Sequence, residues 1–265
     1  MTWQITRYIK NPQLRNPILV EGLPGIGNVG KVAVDFMIDN LKAKRLCRFF
    51  SYSMPHSVFV NEDDLVDLPT IEMYYKQFND GRNDLLLLTG DVQPIDETSS
   101  YEFSDEVLNI IQEMNAKELI TLGGIGLPQA PKKPRVYCTG NSKKIIARYK
   151  KNSTLCDEVY GVVGPIVGVS GILLGLAKRR DMEAISLLAE TMGHPMYLGI
   201  KGAKEILRVL HSKLTIDLNL KQLDKEIKEI ESELGKGSDN LASVPKRSSL
   251  RRLTGKFGKE VNYIG

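Results

Sequence analysis

The chain has 265 residues, of which 42% are hydrophobic and 26% are charged, and its formal net charge is +4. These values are ordinary for a globular protein and exclude a chain that is unfolded throughout. The three cysteines are widely spaced without a C-x-x-C pair, which excludes a disulfide framework and a zinc site. No apolar run reaches the ~20 residues of a membrane helix, and no leader pattern begins the chain. We therefore expect a cytoplasmic protein that has no membrane partner.

The first predicted unit is a strand over 18–21, a glycine-rich turn and a helix over 28–41. The turn contains G-x-G-x-x-G, the dinucleotide fingerprint. Such glycines let the backbone approach a ligand closely, and the start of the helix offers free N–H groups to an anion. A second glycine-rich turn follows the strand predicted over 119–122 and could form another wall of the same pocket. The glycines of this candidate cofactor-binding pocket are Gly22, Gly25, Gly27, Gly30, Gly123, Gly124 and Gly126.

The glycines have a second interpretation, in which they only allow tight packing between strand and helix. No Lys-Ser/Thr pair follows them, so the turn is not a Walker loop, although Lys31 could add positive charge at the helix start. A dinucleotide site also needs an acidic ribose ligand about 20 residues further on. Residues 51–53 occupy that region and include no Asp or Glu. We therefore predict no cofactor.

Strands and helices alternate along the next 160 residues or so. The unbroken apolar run Leu85–Leu88 is typical of a central strand covered on both faces. Ser99 and Glu102 form a capping box that predicts the start of a helix. Residues 184–189 could be a strand or a helix by pattern alone. The other predicted elements are strands over 46–52, 71–78 and 135–139, a loop or short hairpin over 54–70, and helices over 143–150, 172–178 and 203–214.

This alternation predicts an α/β fold with a mainly parallel sheet flanked by helices. Ligands and partners of such sheets gather at the carboxyl ends of the strands. Beyond this core, predicted over 1–214, apolar residues repeat with the 4-3-4-3-4 spacing of a heptad seam. The seam predicts an amphipathic helix over 215–235 that packs on the core or on a partner. Its residues are Ile216, Leu220, Leu223, Ile227, Ile230 and Leu234.

The positive charge of the chain is concentrated at its C-terminus. Residues 236–265 contain seven Lys or Arg against two acidic residues, which leaves residues 1–235 close to neutral. Because 236–260 has almost no apolar clusters, we expect a disordered basic tail. The last five residues become apolar again and give the tail the layout of a tether with a docking tip. Phe257 is the one aromatic interleaved with the basic residues, so specific binding of nucleic acid is not expected.

The sequence assembles no catalytic set and no metal site. Asp91, Asp96 and Glu97 could bind a cation or act as acid and base, but no nucleophile pairs with them, and exposed loop carboxylates are the other interpretation. No G-x-S-x-G elbow is present. The histidines have no spacing typical of metal ligands. They are His56, His194 and His211.

Five blocks of sequence, in order across about residues 17–213, resemble the archaeal proteasome assembly chaperone family, including its uncharacterised relatives and those with ATP-grasp-like names. The blocks are EGLPGIGNVG (21–30), GDVQP (90–94), LGGIG (122–126), GVSGILL (168–174) and AISLLAET (184–191).

The resemblance implies an α/β fold similar to that of purine nucleoside phosphorylases, without established chemistry. It also implies homo-oligomers that bind proteasome α-subunits and help to assemble the core particle. Some members end in hydrophobic-Tyr-X, whereas here the tyrosine is antepenultimate. The overall layout of tether and tip is kept. The partner-binding residues that it implies are Val261, Tyr263, Ile264 and Gly265.

Three functions follow from these features. The first is a non-enzymatic assembly chaperone that uses the core, the tail or both. The alternative is an enzyme or sensor that binds a nucleotide or nucleoside at the Gly25–Gly30 turn. The third is a nucleic-acid-associated protein that uses the basic tail, whose binding would collapse with salt.

Overall fold

The computed structural model describes residues 3–10, 12–61, 63–156, 160–161, 164–194, 197–221, 223–225 and 227. It confirms the predicted α/β class, with a large sheet covered by helices on both faces. The strands are β1 (Gln4–Arg7), β2 (Ile18–Gly22), β3 (Lys44–Phe50), β4 (Phe59–Val60), β5 (Val66–Asp67), β6 (Ile71–Lys76), β7 (Leu85–Gly90), β8 (Glu118–Leu127), β9 (Val136–Gly140) and β10 (Glu183–Met192). The helices are α1 (Val29–Leu41), α2 (Glu97–Glu113), α3 (Lys143–Lys150), α4 (Val169–Arg179) and α5 (Ile200–Lys213).

The main sheet has eight strands in the order β1-β3-β6-β7-β2-β8-β10-β9. Its centre is parallel, since β7, β2, β8 and β10 run in the same direction. The flanks are antiparallel, because β6 reverses against β7 and β9 reverses against β10. β4 and β5 form a separate hairpin within the connection between β3 and β6.

Alternation of side chains along the central strands builds a core on each face of the sheet. Val20, Leu87 and Ile120 face α1 and α5, whereas Leu19 and Leu86 face α2 and α4. Both faces of β7 are therefore buried, as its unbroken apolar run predicts. Within the described ranges no helix combines the length and the hydropathy needed to cross a bilayer.

Local details differ from the sequence prediction at four places. β1 was not predicted, because its four residues, QITR, are mostly exposed and carry too little apolar signal. The predicted second glycine-rich turn is wrong: Gly123, Gly124 and Gly126 lie in β8, because the pairing of β8 with β10 continues to Leu127. β10 is a strand, which the pattern left open. The predicted capping box of α2 is wrong: Asp96 is the N-cap, and its carboxylate accepts a hydrogen bond from the Ser99 N–H at 2.8 Å. An N-cap side chain accepts from an N–H two or three residues later, and Asp96 stands three residues before Ser99.

The chain after α5 packs on the core wherever the structure describes it. Residues 220, 221, 223–225 and 227 are helical. Ile216, Leu223 and Ile227 are buried in the same core as α1 and α5. Ile230, Leu234 and the predicted tail 236–265 lie outside the described residues.

Candidate functional site

The loops at the carboxyl ends of β2, β7, β8 and β10 meet at one edge of the sheet, because these four strands are parallel. β3 also ends at this edge, since it is antiparallel to β6 and β6 is antiparallel to β7. We call it the carboxyl edge. It is the position at which open α/β sheets bind ligands and partners, and all five sequence blocks of the family resemblance reach it or lie next to it.

The first glycine turn is filled by other parts of the protein rather than open to a ligand. A Cβ atom on Gly22 would overlap the carbonyl oxygen of Gly30, and one on Gly30 would overlap the carbonyl oxygen of Leu122. Gly27 has φ +61°, and a Cβ there would lie 2.6 Å from Thr191 Oγ1. These glycines allow α1 to start directly against β2, β8 and β10.

Gly25 differs from the other glycines of this turn. Its added Cβ would have no atom within 4 Å, so open space lies beside it. The Asn28 N–H donates to the Gly25 carbonyl oxygen at 2.9 Å. Ile26, next to it, is half exposed.

The glycines predicted as a second turn lie in β8, against the first glycine turn. A Cβ on Gly124 would overlap the carbonyl oxygen of Ile26. A Cβ on Gly123 would lie 3.0 Å from the Leu188 side chain, and one on Gly126 would lie 3.2 Å from the backbone of Gly193. The structure therefore brings the two sets of glycines together, but protein atoms occupy most of the space between them. The cofactor-binding role assigned to them stays a prediction.

Gln93 joins two loops at the carboxyl edge. Its Nε2 donates to the carbonyl oxygen of Pro24 at 2.5 Å, and its Oε1 accepts from the Val169 N–H at 3.1 Å. One amide thus fixes the glycine turn to the start of α4. Residues from three of the five sequence blocks are held together by this single side chain.

Glu21 lies at the end of β2 and is fully buried. Its Oε1 accepts hydrogen bonds from the Leu23 N–H at 2.9 Å and from Ser170 Oγ at 3.2 Å. Burial raises the pKa of this carboxyl from 4.5 to about 7, against the lowering effect of these two hydrogen bonds. Its Oε2 has no hydrogen-bond partner among the described residues.

Two hydroxyls extend this polar position across the sheet. Thr121 pairs with Glu21 in the register of β2 and β8, and Ser186 pairs with Thr121 in that of β8 and β10. Both are buried, and their oxygens have no partner among the described residues. Sequence reasoning missed this row, because Thr121 and Ser186 stand in strands that contain other polar residues and therefore give no separate signal.

A polar groove of about 630 Å³ lies between α1 and the strands β6 and β7. On its α1 wall Lys31 Nζ contacts Asp35 Oδ2 at 2.9 Å, and Thr89 Oγ1 donates to Asp35 Oδ1 at 2.6 Å. Lys31 is thus engaged by Asp35 and does not serve the glycine turn as the sequence suggested. On the strand wall Glu72 lies 3.0 Å from the Nε of Arg48. Of the charged residues that line the groove, Lys31 and Asp35 pair with each other and Glu72 pairs with arginines of β3.

The carboxylates considered for catalysis have structural contacts. Asp91 Oδ2 accepts hydrogen bonds from the N–H of Thr70 at 2.9 Å and from its hydroxyl at 2.8 Å. The pKa of Asp96 is lowered by the hydrogen bond from the Ser99 N–H, as expected for an N-cap carboxylate. Glu97 lies in the first turn of α2, where the positive end of the helix dipole stabilises its negative charge. Among the described residues no group of three His, Cys, Asp or Glu could hold a metal ion.

The three histidines lie in different parts of the fold. His211 Nδ1 accepts a hydrogen bond from the Leu218 N–H at 3.5 Å on the far side of α5. His56 is exposed in the connection between β3 and β6, and His194 follows β10. The partner-binding residues Val261, Tyr263, Ile264 and Gly265 lie outside the described residues, so their role stays a prediction.

Known proteins are similar to this chain in sequence over most of its length. The sequence model of the PAC2 family matches residues 19–236. An uncharacterized protein of Methanocaldococcus jannaschii is 29% identical over 228 residues, which are 86% of this chain and 85% of that protein.

Two solved structures from Pyrococcus furiosus are similar over most of their length. PbaB, described as an archaeal proteasome activator, has 35% sequence identity and a TM-score of 0.81, over 89% of this chain and 99% of that one. PbaA, described as an archaeal homolog of proteasome-assembly chaperone, has 25% identity and a TM-score of 0.71, over 88% of this chain and 90% of that one.

Proposed function

Since the chain belongs to the PAC2 family, we propose that it is a non-catalytic assembly chaperone that binds proteasome α-subunits and assists assembly of the core particle. The observation that carries this proposal is the similarity to PbaA, an archaeal homolog of proteasome-assembly chaperone, which covers 90% of that chain at a TM-score of 0.71. The similarity to PbaB, described as a proteasome activator, supports the proteasome as the partner. The protein would act in the cytoplasm, as its cysteine usage suggests.

The contacts of the carboxyl edge support a non-catalytic role. Asp91 and Asp96 accept hydrogen bonds from nearby backbone N–H groups, and Asp35 is engaged by Lys31 and Thr89. Each of these carboxylates stabilises a loop, a helix or the junction of two elements.

In this proposal the tail provides a second contact with the partner. Val261, Tyr263, Ile264 and the C-terminal carboxylate would enter a groove on the proteasome ring. Burying Tyr263 and Ile264 contributes several kcal/mol before the cost of ordering the tether is subtracted. One tail would therefore bind weakly. A homo-oligomer of the chain would bind well, because several tails raise the effective concentration of each contact.

Native mass spectrometry tests this proposal directly. The full chain and a version truncated after Gly235 are each mixed with α-subunits from the same source. We expect a complex with the full chain, and a weaker one with the truncated chain. Equal affinity of the two would remove the tail from the proposal and place binding on the core. Absence of a complex with either would reject the chaperone function.

The alternative function, a nucleotide or nucleoside sensor, is favoured by one observation, the open space beside Gly25 at the start of α1. Thermal shift with ATP, NAD and nucleosides tests it. A ligand present at 100 times its dissociation constant should add ~2.7 kcal/mol of stability. An unchanged melting temperature with all of these ligands would reject this alternative.

A further inference from the structure

The β4–β5 hairpin stands apart from the main sheet, at the carboxyl edge. Its register pairs Val60 with Val66 and Phe59 with Asp67. Continuing this register places Val58 opposite Leu68 at the open end of the hairpin. Because side chains alternate between the two faces of a strand, Val58, Val60, Val66 and Leu68 share one face. We call these four side chains the hairpin face.

The hairpin face is apolar and uncovered. Its side chains are 52%, 62%, 66% and 56% exposed, in chain order, and none belongs to either hydrophobic core. A two-stranded hairpin is marginally stable by itself in water. A contiguous exposed apolar surface of this kind marks an interaction site.

Polar contacts keep the hairpin ordered without covering this face. Asn61 Oδ1 accepts hydrogen bonds from the N–H groups of Asp63 and Leu65, both at 3.0 Å. Asn61 Nδ2 donates to Asp67 Oδ2 at 3.2 Å on the opposite face of the hairpin. The turn is thus built by one asparagine, and the apolar face stays available to a partner.

The surroundings of the hairpin face are acidic. Residues 62–67 include four carboxylates, and no Lys or Arg occurs from 49 to 75. After β7 the chain returns to the carboxyl edge with Asp91, Asp96 and Glu97, and residues 83–116 contain no Lys or Arg. A partner that covers the hairpin face therefore has the best electrostatic complementarity if its own apolar segment is flanked by basic residues.

A second copy of this chain fits this requirement poorly. Its longest basic segment among the described residues is 127–151, with eight Lys or Arg and no carboxylate, around β9 and α3 on the opposite side of the sheet from β1. Of the described residues there, none is a large, exposed apolar side chain. Two hairpin faces packed against each other would bring together two sets of carboxylates. The tail of the chain is basic with an apolar tip, but in the proposed function the partner engages that tip.

We propose that the hairpin face docks an apolar segment, flanked by lysine or arginine, on a different protein. This inference rests on the proposed function, which makes that protein a proteasome α-subunit. The core would then hold its partner through the hairpin, while the tail supplies a separate contact. The hairpin and the tail would contribute independently to affinity.

The test compares Val60→Asp with Val167→Asp in the full chain. Val167 is 82% exposed, precedes α4 and lies outside the hairpin, so it is a matched control for the same chemical change. Neither residue belongs to a core, so both variants should keep the melting temperature of the unaltered chain. We expect Val60→Asp to weaken α-subunit binding at least about tenfold, because it removes a buried apolar contact and places a charge in the interface. Val167→Asp should stay within about twofold.

A second pair of measurements tests the acidic surroundings. Asp63→Asn with Asp64→Asn should slow association with the α-subunit, and the difference should shrink at high ionic strength. An association rate unchanged at low salt would contradict the basic flank of the partner.

The outcomes separate this inference from the proposed function. No complex with the unaltered chain would overturn both. A complex that Val60→Asp leaves unchanged would overturn the inference alone. Two further outcomes would also overturn the inference. In native mass spectrometry of the chain without a partner, a lower oligomer for Val60→Asp would assign the hairpin face to a second copy. If truncation after Gly235 tightened α-subunit binding, and Val60→Asp then had no effect on the truncated chain, the face would be assigned to the tail.

Discussion

Glu21 Oε1 accepts a hydrogen bond from Ser170 Oγ at 3.2 Å, which joins the end of β2 to the first turn of α4. This contact lies in the buried core of the carboxyl edge, where Glu21 is fully removed from solvent. Two residues that are 149 positions apart in the sequence thus fix the same edge of the sheet. The position of an ionisable group there makes the stability of the fold depend on pH.

The free energy of unfolding should fall as pH rises from 5 to 8. Burial raises the pKa of Glu21 to about 7 in the folded state, from 4.5 in the unfolded chain. The folded state therefore keeps this proton to a higher pH than the unfolded chain does. The stabilising contribution of protonated Glu21 is complete below about pH 4.5 and is lost as the pH rises through 7. A shift of this size corresponds to about 3 kcal/mol. Urea unfolding at a series of pH values measures the free energy of unfolding.

Glu21→Gln should flatten this pH dependence, because the substituted side chain does not titrate. Glu102→Gln, at an exposed position of α2, is the control and should keep the slope of the unaltered chain. Parallel pH profiles for the unaltered chain and Glu21→Gln would show that another group controls the dependence.

Gly22→Ala should destabilise the protein, whereas Gly25→Ala should not. A Cβ on Gly22 overlaps the backbone of Gly30, and backbone cannot move aside without displacing α1. Overpacking of this kind typically costs about 1–3 kcal/mol or more. Gly25 has φ −161°, which any residue adopts, and open space around it. Chemical unfolding of both variants checks this; equal loss of stability would show that the turn needs glycine for its conformation alone.

Asp96→Ala should lower the melting temperature at pH 7, since α2 loses the acceptor for the Ser99 N–H. Asp96→Asn should keep most of the stability, because an asparagine side chain caps a helix equally well. The pKa of Asp96 is lowered by this hydrogen bond, so its charged form contributes above the ordinary pKa and the contribution is lost at lower pH. The difference between Asp96→Ala and the unaltered chain should therefore be smaller at pH 3. A constant difference would contradict a charged cap.

Leu223→Ala should reduce the stability of the core itself. Leu223 is fully buried with α1 and α5, and truncating a buried leucine costs about 2–5 kcal/mol. Lys221→Ala, two residues earlier and exposed, is the control. If the seam served only a partner chain, Leu223→Ala would change the oligomer measured by native mass spectrometry and leave the unfolding of the core unaltered.

The sequence predicted the α/β class because two strong patterns are local. The run Leu85–Leu88 indicates a strand buried on both faces, and the glycines after Glu21 indicate a tight strand-to-helix turn. It also predicted that the two sets of glycines meet, since carboxyl ends of parallel strands share one edge, but it placed the second set in a turn, whereas they lie in β8. β1 and the N-cap of α2 escaped prediction because a four-residue edge strand and a choice between neighbouring polar residues leave little periodic signal.

The sequence by itself determined the family, the alternation of elements and the positions at which the backbone must pack without a side chain. Only the tertiary structure decided what occupies the space beside those glycines, because Gly30, Thr191 and Leu122 are distant in the chain and close in the fold. It also decided that Lys31 pairs with Asp35 and that Glu21 is buried. The apolar residues of the hairpin are visible in the sequence, but their exposure depends on whether another element covers them, and that is a property of the whole fold.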